Sequence, residues 1–245
     1  MPIKAVLFDF GNTLISIELD WEIVLPQNIT SLVRYLNSQN ILVDIDPFGK
    51  RFVELKNQKH SLGQNELHEY KSVDVLRETL AEYSINHVTD TLLENAVDAY
   101  FTPERLLYTE IPGAHQVLQE LKNQGYKLAI VSNASSGYLI RKTMQQHDFT
   151  KYFDVTIVSA DIGYRKPHPK IFELALEQLN STPQDSVMIG DVPAYDVEGP
   201  QKLGIKTILV KYQASSEGTK HLTDLQPDAL ANQITDIPQI IQSWN

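Results

Sequence analysis

Residues 3–9 read Ile-Lys-Ala-Val-Leu-Phe-Asp, a short apolar run that ends in a carboxylate. Similar runs recur further along the chain, rich in β-branched residues, and two of them also end at a polar residue. These runs are Leu128–Val131, Val155–Val158, Val187–Ile189 and Ile205–Val210. Continuous runs of this length are typical of strands that are buried on both faces of a parallel sheet. The sequence therefore predicts a set of parallel strands that begins at residue 3.

Helical periods separate the predicted strands, as in the apolar stripe of Ile171–Leu179. Strands that alternate with helices indicate repeated βαβ units. We therefore predict an α/β protein, with a Rossmann-like, doubly wound parallel sheet built from residues 1–15 and 110–245. Within the second of these segments, residues 211–228 are predicted to form a surface loop and residues 237–244 a short terminal helix.

Residues 16–109 break this alternation, because they carry helical stripes and no convincing strand run. Pro26 and the pair Asp46-Pro47 each mark an expected helix start. A third stripe begins at Leu67, and a fourth covers Leu92–Tyr100. We predict that this segment is an α-helical cap domain, inserted after the first strand and placed above the sheet.

The composition excludes some classes of partner. The chain has 21 basic and 31 acidic residues and a net charge of −10. General binding to nucleic acid or to an acidic membrane needs a basic face, so neither is expected. The chain has no cysteine, which excludes thiolate metal sites and cysteine nucleophiles. No signal peptide or membrane span is recognised, and we expect a cytoplasmic protein.

Polar residues follow three of the predicted strands, namely Asp9, Ser132 and Asp191. In an open parallel sheet the ligand lies beyond the carboxyl ends of the strands, so these side chains are expected to converge. Lys166 joins them from a loop stiffened by two prolines. Taken singly, each residue is more simply a turn former, a helix cap or a solvated charge. Their occurrence in this order at successive strand ends favours a site.

Four stretches of the sequence resemble the haloacid dehalogenase superfamily, in its branch with a helical cap after the first strand. The matching stretches are residues 9–13, 130–133, 163–167 and 190–196. Each motif is weak by itself, but the four in this order are specific. The resemblance covers the whole predicted core, and it covers the cap only by position and helical character.

The resemblance implies a phosphatase acting on a small phosphorylated metabolite. Asp9 is then the nucleophile that forms an aspartyl-phosphate, and Lys166 balances the charge of Asp9 and of a phosphoryl oxygen. The implied cofactor is Mg²⁺, held by Asp9, the carbonyl of Gly11 and Asp191. Asp196 is expected to orient the water ligands of the metal.

The remaining implied residues bind the phosphoryl group. Ser132 and the backbone N–H groups near Asn133 and Asn12 are expected to hold its oxygens, while Thr13 fixes the nucleophile loop.

Gly11 departs from the usual pattern of phosphatases in this superfamily, which place a second Asp there as general acid and base. General acid–base help contributes roughly 10²–10⁴-fold to a rate. Members without this Asp include dehalogenases, phosphonoacetaldehyde hydrolases and some sugar phosphatases. Because Asp191 and Asp196 suit a metal, we favour a metal-dependent phosphatase. A 2-haloacid dehalogenase and a catalytically weak protein that binds a phosphorylated ligand stay as alternatives.

Overall fold

A computed structural model describes residues 2–211 and 226–245 of the chain. Most of the loop predicted over residues 211–228 therefore lies outside the described residues. The strands, in chain order, are β1 (Ala5–Phe8), β2 (Ile15–Ser16), β3 (Thr109–Glu110), β4 (Lys127–Ser132), β5 (Val155–Val158), β6 (Ser186–Gly190), β7 (Lys206–Val210) and β8 (Ala229–Ala231).

Six strands form one sheet in the order β5-β4-β1-β6-β7-β8, and every pair of neighbours is parallel. The chain leaves β1 in the middle of the sheet and builds outward on both sides, which is the doubly wound arrangement predicted from the apolar runs. In register, Phe8 pairs with both Ile130 and Ile189. The residue after Phe8 therefore lies between the carboxyl ends of β4 and β6.

Helices cover both faces of this sheet, as its continuous apolar strands require. They are α5 (Ala114–Asn123), α6 (Gly137–Gln146), α7 (Ser159–Ile162), α8 (Pro169–Leu179), α9 (Pro193–Asp196), α10 (Glu198–Leu203) and α11 (Ile237–Gln242). One apolar cluster lies on each side, and α5 and α11 contribute to one while α8 contributes to the other. The predicted terminal helix corresponds to α11.

Between β2 and β3 the chain forms four consecutive helices, which we call the helical insertion. These helices are α1 (Trp21–Ser38), α2 (Ile45–Glu66), α3 (Ser72–Glu82) and α4 (Asp90–Arg105). They enclose an apolar cluster that includes Leu36, Phe52, Leu76 and Val97 and also contains Leu139 of α6. The division into a core and a cap at residues 15/16 and 109/110 stays a prediction, which this cluster, built almost entirely from the insertion, supports.

Three predicted helix starts in the insertion are wrong by five residues or fewer. The first helix begins at Trp21, because Asp20 caps it by accepting a hydrogen bond from Glu22, and Pro26 lies inside the helix. The second begins at Ile45, one residue ahead of Asp46. The third begins at Ser72, because Leu67 adopts a left-handed conformation that ends α2.

The two chain segments that connect the insertion to the sheet contain strands that the sequence pattern did not indicate. The antiparallel pair β2–β3 joins them, with Ile15 opposite Glu110 and Ser16 opposite Thr109. Strands of two residues are too short to produce an alternating pattern, so their pairing depends on the tertiary structure. Among the described helices, none combines the length and apolar character that a membrane span requires.

Candidate active site

Asp9 lies at the carboxyl end of β1, where its backbone N–H donates to the carbonyl of Ile189 in the neighbouring strand. Its carboxylate accepts a hydrogen bond of 2.7 Å from the Nζ of Lys166. The same Nζ donates a second bond of 2.7 Å to Oδ1 of Asp196. Lys166 is 1% exposed, so its ammonium is bound between two carboxylates away from bulk water. The structure thus brings together the predicted nucleophile and the predicted lysine.

Asp191 follows β6 and completes a cluster of buried carboxylates. Asp9, Asp191 and Asp196 each offer an oxygen, and these three oxygens lie within 4.8 Å of one another. Thr13 is buried beneath them, and its hydroxyl lies 3.5 Å from Oδ1 of Asp191. Three carboxyl groups outnumber the single lysine, and together they offer the oxygen donors that a hard cation takes.

Burial and mutual repulsion change the acidity of this cluster. Burial, together with the charge of Asp9, raises the pKa of Asp191 to about 8. Burial also raises the pKa of Asp196 to about 6, although the ammonium of Lys166 opposes this change. Burial by itself lowers the pKa of Lys166, but the charges of Asp196 and Asp9 outweigh it and raise that pKa above its ordinary value. Lys166 is therefore cationic at neutral pH.

Asp196 is held in place by local backbone geometry. Its Oδ2 accepts a hydrogen bond of 3.0 Å from the N–H of Val192, and its Oδ1 faces Lys166. A side chain at Gly190 would place its Cβ 2.2 Å from this carboxylate, so only glycine allows the approach. With both oxygens engaged by the protein, Asp196 is arranged to orient its neighbours.

The residues predicted to bind phosphate differ in what they contact in the structure. Ser132 ends β4 and lines the cavity beside Asp9. Asn133 also lines it, but its amide bonds to the backbone of Lys166, accepting from the N–H at 2.7 Å and donating to the carbonyl at 3.1 Å. The N–H of Asn12 donates to the carbonyl of Ile15, and its Oδ1 accepts from the N–H of Ile17. Asn12 therefore closes the nucleophile loop.

The cavity above this cluster has a volume of about 410 Å³, which exceeds the size of a phosphate group. Most of its wall belongs to the sheet end, but His60 and Gln64 of α2 and Tyr108 also line it. Glu18, Asp20 and Trp21, which follow the nucleophile loop closely in sequence, do not line this cavity.

Sequence reasoning assigned no role to several residues that line the cavity. Arg165 stands directly before Lys166 in a recognised motif, so its position was available as a signal. Tyr195 likewise lies within the stretch 190–196. His60 and Gln64 carry no such signal, because they come from the last two turns of a long helix whose orientation depends on packing.

The model of a family described as haloacid dehalogenase-like hydrolase matches residues 28–210 of the chain. This range contains the predicted site residues from Ser132 to Asp196, and Asp9 precedes it.

Two curated relatives match almost the full length of the chain. The first is a glyceraldehyde 3-phosphate phosphatase from Pyrococcus furiosus, which is 28% identical over 241 residues, or 98% of this chain and 92% of the relative. The second is pyrophosphatase PpaX from Bacillus mycoides, which is 26% identical over 248 aligned residues, and the alignment covers 100% of both chains.

A solved structure of a 2-haloacid dehalogenase from Pseudomonas syringae pv. Tomato DC3000 is similar in fold. Its TM-score is 0.70, its identity is 20%, and the likeness covers 99% of this chain and all of that one. At this identity the likeness describes the fold alone.

Proposed function

The chain belongs to the haloacid dehalogenase-like hydrolase family, and we propose on this premise that it is a Mg²⁺-dependent phosphatase for a small phosphorylated metabolite. Two relatives that match nearly its whole length are named glyceraldehyde 3-phosphate phosphatase and pyrophosphatase PpaX. The observation that carries the proposal is the contact of Asp9 with Lys166, placed beside Asp191 at the edge of the cavity.

The residues of the cluster fit a hard divalent cation. The donor atoms are carboxylate oxygens, which Mg²⁺ prefers. Asp191 has a raised pKa, and a cation at this position would keep it ionised at neutral pH. Asp9, Asp191 and the carbonyl of Gly11 would hold Mg²⁺, and Asp196 would orient its water ligands. When bound, the metal supplies positive charge that offsets the repulsion between the carboxylate and the phosphoryl oxygens.

In the proposed reaction a carboxylate oxygen of Asp9 attacks the phosphorus atom. The phosphorus–oxygen bond to the leaving group breaks, and the leaving oxygen keeps the electron pair and takes a proton from water. Lys166 donates to the nucleophile and a phosphoryl oxygen, and the hydroxyl of Ser132 donates to another. Water then attacks the phosphorus of the aspartyl-phosphate, which releases inorganic phosphate and restores the Asp9 carboxylate.

The helical insertion would act as a cap in this scheme. Its residues His60 and Gln64 form part of the cavity wall, so a substrate held at Asp9 would contact them. Closing the cavity in this way limits the access of bulk water and lets the insertion select the leaving group.

The test is a screen with purified full-length chain. Phosphomonoesters, pyrophosphate and 2-haloacids are supplied with Mg²⁺ or with excess chelator, and phosphate and halide release are measured. We expect phosphate release with Mg²⁺ that is lost in chelator and falls by at least about 10³-fold in Asp9→Asn.

Two other results would contradict the proposal. Halide release that is insensitive to chelator would identify a dehalogenase. Tight binding of phosphorylated ligands with no turnover would identify a binding protein, the function that Gly11 in place of the usual acid would favour.

A further inference from the structure

Arg165 is a buried cation in the wall of the active-site cavity. The residue is 4% exposed, and it lines the same cavity as Asp9 and Lys166. Its Nη1 lies 3.5 Å from Nδ1 of His60, which reaches the cavity from α2. Its Nε is buried and has no hydrogen-bond partner within the described residues. A buried guanidinium donor without an acceptor is costly, so the arrangement is suited to an additional anionic group.

The acidic neighbour of Arg165 does not neutralise it through close contact. Oε2 of Glu69 lies 3.9 Å from Nε of Arg165, beyond hydrogen-bonding distance, and accepts instead from the hydroxyl of Ser159 at 2.8 Å. By contrast, Arg51 and Glu82 on the helical insertion form a two-point ion pair with both distances at 2.6 Å. Among the described residues, no carboxylate therefore engages the Arg165 guanidinium at hydrogen-bonding distance, although Glu69 stays its nearest counter-charge. An arginine binds a planar or tetrahedral anion best through two donors.

The other charges in the cavity wall belong to the catalytic cluster. Asp9, Asp191 and Asp196 are paired with Lys166 or belong to the proposed metal site. Among the described residues of the wall, Arg165 is the formal cation outside that cluster. The cavity wall thus carries a second cation, Arg165, in addition to the Lys166 that contacts Asp9.

We infer that Arg165, with His60 beside it, binds a second anionic group of the substrate, a carboxylate or a second phosphate. The inference rests on the proposed phosphatase function and narrows its substrate class to phosphomonoesters or anhydrides that carry two anionic groups. The backbone supports this placement, because the N–H of Arg165 donates to the carbonyl of Leu67 in the loop after α2. Arg165 is thereby fixed relative to both the sheet end and the helical insertion.

The test compares ligands that differ only in the second charge. Carboxybenzylphosphonates, in meta and para forms, and their carboxamide counterparts are titrated into the Mg²⁺-loaded protein by calorimetry. These phosphonates are not hydrolysed, so their binding is measured apart from turnover. We expect at least one carboxylate isomer to bind about tenfold more tightly than its amide, and Arg165→Gln to abolish most of this preference.

Arg77→Gln is the matched control, because Arg77 is an exposed arginine on α3 that pairs with Asp90 and does not line the cavity. This variant removes the same single positive charge, and it should keep the preference of the protein for the carboxylate over its amide. If Arg165→Gln does not fold, Arg165→Lys replaces it and should reduce the preference by about threefold, because lysine lacks the planar fork.

Equal binding of acid and amide by the wild-type protein would overturn the inference, and so would an unchanged preference in the Arg165 variants. Turnover of the corresponding carboxyphenyl phosphates is measured as well. It distinguishes a failure of this inference from a failure of the proposed function. Turnover without a charge preference would contradict the role of Arg165 alone, whereas a preference in binding without any turnover would contradict the phosphatase proposal alone.

Discussion

The Nζ of Lys166 donates a hydrogen bond of 2.7 Å to Oδ1 of Asp9, although 157 residues separate the two in sequence. In the proposed reaction this contact has two functions. It orients the carboxylate that we propose as the nucleophile, and it reduces the charge that an approaching phosphate meets. Because the same ammonium also binds Asp196, its removal changes the balance of the whole carboxylate cluster.

Lys166→Met should reduce both stability and activity. The variant leaves Asp9, Asp191 and Asp196 buried without a cation, and breaking a buried pair from one side costs about 3–5 kcal/mol. Loss of one charge-stabilising donor should lower kcat by roughly 10²–10³-fold. Denaturant unfolding and phosphatase assays measure the two effects. Lys170→Met, at an exposed lysine on α8, is the control and should change neither. A Lys166→Met protein as active as the wild type would contradict the proposed site.

Binding of Mg²⁺ should stabilise the protein more at high pH than at low pH. The pKa of Asp191 rises from an ordinary 3.8 to about 8 in the folded protein without metal. A carboxyl whose folded pKa is raised contributes its stability below the unfolded pKa and loses it as pH rises through the folded pKa. The metal-free protein should therefore lose stability between about pH 4 and pH 8, and a cation at the cluster should offset that loss.

The measurement for this prediction is the increase in Tm on adding saturating Mg²⁺, followed as a function of pH. The increase should grow as pH rises through about 6 and towards about 8, the raised pKa values of Asp196 and Asp191. Asp191→Asn removes the titrating group and a metal ligand, so its Tm should respond little to Mg²⁺ at any pH. An increase in Tm that is the same at all pH values would refute the link between proton loss and metal binding.

Asn133→Ala should slow the reaction by an indirect route. The amide of Asn133 makes two hydrogen bonds to the backbone of Lys166, and truncation removes both. We expect a loss of about 1–3 kcal/mol in stability and a decrease in kcat of about tenfold, with a smaller change in KM, because Lys166 keeps its charge but is held less firmly. Asn57→Ala, at an exposed position on α2, is the control. A pure increase in KM would instead indicate direct contact of Asn133 with the substrate.

The strands and the central site residues could be predicted because they depend on short sequence patterns. An apolar run such as Ile3–Phe8 specifies a buried strand, and the parallel arrangement then brings Asp9, Ser132 and Asp191 to one edge. The structure confirms the doubly wound parallel sheet and places these side chains together. Their catalytic roles stay proposals.

The features that the sequence did not reveal depend on contacts between distant segments. The apolar stripe that begins at Leu67 predicts a helix in the loop after α2, but the N–H of Glu69 donates to the carbonyl of Gly163, and His68 pairs with Tyr164. This pairing holds the chain extended at that point. His60 and Arg165 meet only because that loop lies against the sheet end. Neither segment has an apolar sequence pattern that would indicate this contact.

The conformation at Gly11 is compatible with a larger residue. The backbone there does not lie in the left-handed region, and a Cβ at this position would meet Cδ1 of Ile17 at 3.3 Å. That atom is the end of a flexible side chain, which can move by a few tenths of an ångström. A Cβ at position 11 therefore fits once the end of the Ile17 side chain shifts slightly, which makes Gly11→Asp a practicable test.

Gly11→Asp should reduce the dependence of the rate on the leaving group. With glycine, position 11 offers no carboxyl to protonate the departing oxygen, so phosphates with acidic leaving groups should react much faster than alkyl phosphates. The introduced carboxyl should accelerate alkyl phosphates by at least about tenfold and aryl phosphates less, which flattens a plot of log kcat/KM against leaving-group pKa. Ile17→Val, alone and combined with Gly11→Asp, controls for the contact at Ile17. If the folded variant has the wild-type slope, then glycine at position 11 does not deprive this protein of its acid, and another group supplies the proton.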